Sequence, residues 1–339
     1  MNQNLKVIDF SGYSFSGKSA YFDLVSEFDG YKSFNNAFEF ELLRIPNGIV
    51  DLYTNLYLNW SPIRSSEAIR NFIRIIDLFS RNKTFMFRLF NIRHNYQNYF
   101  PNFNEVSERY IKDLIQLQWK SEWPFAHIQC ASFNIFLKKL LFRLGKKDVY
   151  ETEIYLSRFE EEKFLEITVK YLEELLLSSL SSRDKGILLN NAFETTNPVF
   201  SHKFFNNSKS IIVDRDPRDI YCSALNDGYA YNLNVGKSVI GKDVKDFVFR
   251  FRMYRNNLTS NENVLRTNFE DLVINYSSTV KKVLGFLEEE EAIHKLQKKS
   301  FNPDLSIKGV GQWKSLKNKI ISEDIEYITE NLQEYCLDI

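Results

Sequence analysis

The chain has 339 residues, 44% of them hydrophobic and 26% charged, the profile of a globular protein with enough apolar material for a sizeable core. Lysine plus arginine and aspartate plus glutamate both number 44, so the formal net charge is zero, and a dedicated nucleic-acid binder with its usual basic excess is not expected. There is no apolar run of the ~18 residues a spanning helix needs and no secretory leader pattern, so neither a membrane span nor export is expected.

Cys130, Cys222 and Cys336 are odd in number and far apart, which fits neither a disulfide framework nor a metal spacing. A reducing, cytoplasmic setting is therefore expected. His94, His127, His202 and His294 form no paired spacing, and no metal is expected.

In chain order, the apolar run 5–10 reads as a strand and 20–25 as the start of a helix. Between them lies Gly12-Tyr-Ser-Phe-Ser-Gly-Lys-Ser19, a complete G-x-x-x-x-G-K-[ST] phosphate loop. Gly12 and Gly17 allow a tight turn, the helix N-terminus favours an anion, and Lys18 can reach a distal phosphate or sulfate oxygen. Residues 37–44 alternate apolar and acidic positions before Pro46-Asn-Gly48, which predicts a second strand ending in a turn. From about 64 to 182 the pattern is helical, with Ile69, Phe72, Ile73, Ile76 and Phe79 at helix spacing, then Ile111, Leu114, Ile115 and Leu117, and a long helix over 160–180. Within this block the basic, apolar stretch 136–147 reads as a packed helix with a solvated basic face, weak peripheral contact with a membrane surface being the alternative.

Strand patterns return at 186–189, 210–213 and 263–267, with helices expected at 244–255, 277–287 and 322–332. Strands alternating with helices predict an α/β fold with a parallel sheet covered on both faces.

A second informative stretch is Ser210-Ile-Ile-Val-Asp-Arg-Asp-Pro-Arg-Asp-Ile-Tyr-Cys-Ser-Ala224. Arg215 falls at the carboxyl edge of a strand, where open α/β sheets bind ligands, and Pro217 suits a first helical turn. Ser223, eight residues after Arg215, lies in the following helix, so the pair makes a two-point anion clamp.

R-D-P-R-D-x-x-x-S after an apolar strand resembles the 3′-phosphate-binding segment of the sulfotransferases that use 3′-phosphoadenosine-5′-phosphosulfate (PAPS). Lys308-Gly-Val-Gly-Gln-Trp-Lys314 is similar to that family's R-K-G-x-x-G-x-W-K segment, one residue shorter and with Ile307 at the leading arginine. Asn263 to Leu272 followed by 280–287 resembles the family's strand, Y-E-D-L turn and helix, and Ser16, Gly17 and Ser19 fit its S-G-x-[TS] loop. The resemblance covers roughly 10–30 and 186–316. It implies a P-loop NTPase-like parallel sheet flanked by helices, one sulfotransferase-like domain over 1–339, with 60–182 as a helical insertion or cap. It also implies PAPS as donor, held by Ser16, Gly17, Ser19, Arg215, Ser223, Lys308 and Gly309, to which the phosphate-loop pattern adds Gly12 and Lys18, and in-line sulfuryl transfer to a hydroxyl without a metal.

Phe15 stands where many family members carry a basic residue, and Lys18 is expected to supply that charge as a catalytic group. For the base that deprotonates the acceptor, Glu41 is the first candidate, followed by Asp51 and Glu194, with His127 as a further pocket residue. Trp60, Arg64, Trp119 and Trp123 are of the kind that stack on sugars and pair with anions, which makes a carbohydrate the expected acceptor.

Two other functions remain open on the sequence. In an ATP–Mg²⁺ kinase, Ser19 and Asp214 would hold the metal while Arg215 and Arg218 clamp phosphates. In a nucleotide-binding module without catalysis, Phe15 would mark the missing chemistry.

Overall fold

The expected first strand is β1 (Lys6–Gly12), and the helix Lys18–Ser26 follows the loop. The computed structural model describes residues 5–34, 38–80, 95–123, 132–145, 147–226, 235–256, 258–315 and 319–338. The other strands are β2 (Tyr31–Lys32), β3 (Leu117–Glu122), β4 (Glu151–Leu156), β5 (Gly186–Asn190), β6 (Ser208–Asp214) and β7 (Val264–Asn268). Two compact units are present: residues 1–44 with 180–339, and residues 45–179.

The first unit is built on a five-stranded sheet of order β2-β5-β1-β6-β7, and every pairing in it is parallel. β5 is buried at every position and β6 at all but its last, as strands covered on both faces require. β1 is central, and Gly12 registers with Val213 of β6, so the loop leaves the carboxyl edge beside the end of β6. Helices Lys18–Ser26, Phe269–Ile274 and Tyr276–Leu287 pack with Ile8, Phe10, Ile211 and Val213 into one apolar cluster. A second cluster joins helices Pro217–Leu225, Val235–Ile240, Val244–Asn256 and Lys319–Asn331 through Ile220, Val239, Phe247 and Ile328. The fold is α/β, a parallel sheet flanked by helices.

The second strand lies elsewhere than the sequence pattern indicates. β2 is the dipeptide Tyr31–Lys32, whereas 38–40 runs outside any strand and 41–44 is a turn. Phe38 and Phe40 do bury their rings, which explains the alternation. However, β2 already pairs with Gly186 and Ile187, and β5 ends at Asn190, whose carbonyl accepts the Phe40 N–H at 2.9 Å.

The second unit holds helices Ile49–Tyr53, Pro62–Phe79, Phe103–Leu114, Ser132–Arg143 and Glu161–Leu177. Ser61 caps the Pro62–Phe79 helix by accepting from the Arg64 N–H, with Pro62 at its first position. Tyr110 stacks on Tyr171 at 4.2 Å and ties Phe103–Leu114 to Glu161–Leu177. The block is not wholly helical: β3 and β4 form a two-stranded antiparallel sheet in which Leu117 pairs with Leu156. Leu117, which continues the helical spacing of Ile111 and Leu114, opens β3 because the helix stops at Leu114. The Ser132–Arg143 helix is also not packed as expected, since most of residues 136–145 are exposed.

Candidate anion-binding site

The loop 12–19 is shaped by close approaches. A Cβ on Gly12 would stand 2.5 Å from the Val213 carbonyl oxygen, and one on Gly17 would stand 2.5 Å from the Phe269 ring. Gly17 has φ +81, the left-handed region that glycine tolerates best, while Phe15 adopts φ +64 despite its side chain. The Phe15 side chain is partly buried and packs against the second cluster, as Tyr13 and Trp313 also do, and this packing holds the strained backbone in place. Gly17 caps the helix without a side-chain hydrogen bond; the Ala20 N–H donates to the Gly17 carbonyl at 2.9 Å, which leaves the N–H groups of Lys18 and Ser19 for an anion. Ser16 is fully buried, yet its Oγ has no hydrogen-bond partner among the described residues. Ser19 is exposed at the first turn.

Arg215 is the hub on which four separate segments meet. Its Nη1 donates to the Phe15 carbonyl at 2.9 Å and to Ser223 Oγ at 3.0 Å, and its Nη2 donates to the Gly309 carbonyl. Its guanidinium lies 5.0 Å from the centroid of the Phe269 ring. Desolvation lowers the Arg215 pKa, and its Nε is buried without a partner. Among the described residues no carboxylate forms a salt bridge with it. The site therefore holds a guanidinium that Asp219, Glu270 and Asp216 influence without forming a salt bridge, and a buried serine hydroxyl that lacks a partner among the described residues, which fits a phosphate-bearing ligand.

The C-terminal segment is held by a residue the sequence did not single out. Asp219, fully buried, accepts from the Gly311 N–H at 2.7 Å and the Trp313 N–H at 3.2 Å. Gln312 Nε2 donates to the Asp219 carbonyl at 2.7 Å and to Ser223 Oγ at 2.5 Å. Gly309 lies so close to Phe269 and Arg215 that a Cβ would meet them at 3.3 and 3.4 Å. Lys308 and Lys314 are exposed.

Lys18 is mostly buried, with 20% of its side chain exposed, and faces Glu39 at 3.6 Å. Desolvation lowers its pKa, and Glu39 opposes that shift. Glu39 also meets Arg44 at 3.5 Å and accepts from Asn191 Nδ2 at 2.6 Å. Arg44 Nε in turn donates to the Asn191 carbonyl at 2.6 Å. Behind this group, buried Asp9 accepts from Ala192 N–H at 2.8 Å, Phe193 N–H at 3.2 Å and Ser11 Oγ at 2.7 Å. Burial pushes the Asp9 carboxyl up to about 7 against these three donors.

The other sequence candidates are dispersed. Glu41 lies in the turn after Phe40, and its carbonyl accepts from Arg44 N–H at 3.1 Å. Asp51, in the second unit, caps its own turn by accepting from Asn47 N–H. Glu194 is exposed in the loop after β5. His127 lies outside the described residues. Trp60 is fixed by donating to the Ser157 carbonyl at 2.7 Å, Trp123 is buried beneath Arg70, and Arg64 and Trp119 are exposed.

The groups a kinase would need are engaged otherwise. Asp214 pairs with Arg255 at 2.5 Å and approaches Arg266 at 3.7 Å. Arg218 pairs with Asp216 at 2.7 Å and stacks on Trp313 at 4.0 Å, so it braces the helix start rather than reaching the loop.

No family model and no curated protein sequence matches the chain. Among solved structures, retinol dehydratase in complex with androsterone and the inactive cofactor PAP aligns over 100% of this chain and 83% of its own, at 14% identity and TM-score 0.35. The sulfotransferase domain of the Synechococcus PCC 7002 olefin synthase aligns over 98% and 95%, at 12% identity and TM-score 0.38. Sulfotransferase STF9 from Mycobacterium avium aligns over 99% and 77%, at 12% identity and TM-score 0.36. At these values the likeness carries no functional argument for this chain, and the function rests on its own residues.

Proposed function

We propose that the chain transfers a sulfuryl group from PAPS to a hydroxyl acceptor, with carbohydrates as the acceptor class to be tested first. The observation that carries this reading is the convergence of the phosphate loop, Ser223, Phe269 and Gly309 on Arg215. An ATP-binding loop alone has no need of that second anion clamp. A donor with phosphate groups at both 5′ and 3′ positions uses the loop for one and Arg215 with Ser223 for the other.

In the proposed reaction the acceptor oxygen attacks sulfur in line, and the bond from sulfur to the bridging oxygen of the phosphosulfate breaks. The electron pair leaves with the phosphate, where Lys18 and the loop N–H groups stabilise the developing charge. The acceptor proton passes to a carboxylate. We assign that role to Glu39 in place of Glu41, because Glu39 is the carboxylate beside Lys18. Once Lys18 turns to the departing phosphate, Glu39 Oε1 loses its cation and, while still accepting from Asn191, has a lone pair open to the proton. Asn191 and Arg44 keep the carboxylate in position.

Carbohydrate recognition has narrower support, since Trp60 and Trp123 are used in packing and Trp119, with 45% of its surface exposed, is the tryptophan of that group left for a ligand. The test is incubation with PAPS labelled on sulfur and a panel of sugars, sterols and phenols. Label moving to a hydroxyl supports the reading, and the acceptor that is labelled fixes the class. Binding of 3′,5′-ADP without transfer to any acceptor would leave a nucleotide-binding module instead.

A further inference from the structure

The helix Ser132–Arg143 turns a large apolar surface to water. Phe136 is 64% exposed, Leu140 44% and Leu144 72%. Spaced by four, these side chains stack along one helix face, and Leu137 widens the stripe. Phe142 is exposed as well, so five of the 18 large apolar side chains exposed among the described residues fall within nine positions. Single exposed leucines are ordinary, but a contiguous apolar stripe marks an interaction surface. Gly145, at φ +91, closes the helix by donating to the Phe142 carbonyl at 3.0 Å and leaves Leu144 at the outer end.

Charge decides what the stripe fits. From Trp123 to Lys147 the sequence carries Lys138, Lys139, Arg143, Lys146 and Lys147 and no aspartate or glutamate. Lys139 and Arg143 are exposed on the flank of the stripe. In a chain of zero net charge, this is a local concentration of positive charge joined to exposed apolar side chains. A second copy of the same helix would bring like charges together. A protein groove would need acidic groups matched to each cation. An anionic lipid surface meets both requirements, because headgroups neutralise the flank while Phe136, Leu140 and Leu144 enter the acyl boundary.

We infer that the face formed by Phe136, Leu137, Leu140 and Leu144 with Lys139 and Arg143 is a peripheral docking surface for anionic membranes. It does not depend on the sulfuryl-transfer reading.

The test is co-sedimentation of the full chain with vesicles of phosphatidylcholine and phosphatidylserine at about three to one, compared with phosphatidylcholine alone. Binding to the anionic vesicles is expected, at least roughly tenfold weaker on the neutral ones, and falling as salt shortens the Debye length from about 10 Å. Phe136→Ser with Leu140→Ser and Leu144→Ser, and separately Lys138→Glu with Lys139→Glu and Arg143→Glu, should each abolish it. These side chains are largely on the surface, so helix content and melting temperature should stay unchanged. Absence of binding to either vesicle, or binding that survives both variants, overturns the inference. So does a dimer in light scattering that the serine variant dissolves, with no vesicle binding, since a second copy would then be the occupant.

Discussion

A guanidinium withdrawn from water needs anionic or carbonyl partners, and Arg215 has two carbonyls, one hydroxyl and an aromatic face but no carboxylate salt bridge among the described residues. An incoming phosphate would complete it. Replacing Arg215 by alanine should lower the affinity for 3′,5′-ADP by roughly 10- to 100-fold, the range of charge-assisted hydrogen bonds. Calorimetric titration reads this directly, and equal affinity in the variant would remove the assignment. For Glu39→Gln the expected pattern differs: 3′,5′-ADP binding is kept while turnover falls by ~10²- to 10⁴-fold, the usual contribution of a general base. A loss of binding with normal turnover at saturation would instead make Glu39 a positioning group for Lys18.

Asp9 gives a stability prediction. Its folded pKa of about 7 lies above the ordinary aspartate value of 3.8, so between those values the folded state holds a proton that the unfolded state has lost. The contribution is fully present below the lower value and is lost as pH rises through the upper one, by roughly 4 kcal/mol in total. Asp9→Asn keeps an acceptor for Ala192 and Phe193 without the charge. Its melting temperature relative to wild type should therefore climb as pH rises from 4 to 8. Parallel melting curves across that range would show that Asp9 ionises normally.

At the scale of elements, the site depends on a loop fastened across the sheet edge. Asp219 holds the segment 311–313 through two backbone N–H groups, and Gln312 extends that hold to Ser223. Asp219→Ala should release the segment, weakening 3′,5′-ADP binding roughly tenfold and making the chain after Gly309 susceptible to limited proteolysis. Unchanged proteolysis would mean that Trp313 packing alone holds it.

The phosphate loop and the Arg215–Ser223 pair are legible in sequence because each lies within one strand–turn–helix step, where spacing dictates geometry. Asp219 stands in the R-D-P-R-D stretch, but its role was not legible, since its partners lie about ninety residues away and are backbone groups that no side-chain pattern marks. Glu39 was hidden for another reason. In Phe38-Glu39-Phe40-Glu41 both carboxylates occupy equivalent alternating positions, and only the turn at 41–44 leaves Glu39 opposite Lys18. The two-stranded sheet β3–β4 escaped because Leu117 continues a helical spacing that the chain abandons at Leu114.

On the scale of the molecule, β1 is central in the sheet, and its carboxyl end carries the loop between β5 and β6. That order places Arg215, after β6, on one side of the loop and Asn191, after β5, on the other. In the proposed reaction, donor phosphate and acceptor chemistry would take opposite flanks of that strand, at the carboxyl edge where parallel sheets bind ligands. Within the described residues no helix is long and apolar enough to cross a membrane, and the exposed Ser132–Arg143 helix offers surface contact instead.

The central claim, that the site takes a nucleotide bearing a 3′-phosphate, is tested most directly by thermal-shift titration with 3′,5′-ADP, 5′-ADP and ATP, each with and without Mg²⁺. A ligand that binds only the folded state raises the melting temperature according to its affinity and concentration. With such a site, 3′,5′-ADP gives a rise that exceeds the rise with 5′-ADP and does not need Mg²⁺. A rise with ATP that requires Mg²⁺, with no preference for the 3′-phosphate, would contradict it and identify the loop as that of a kinase.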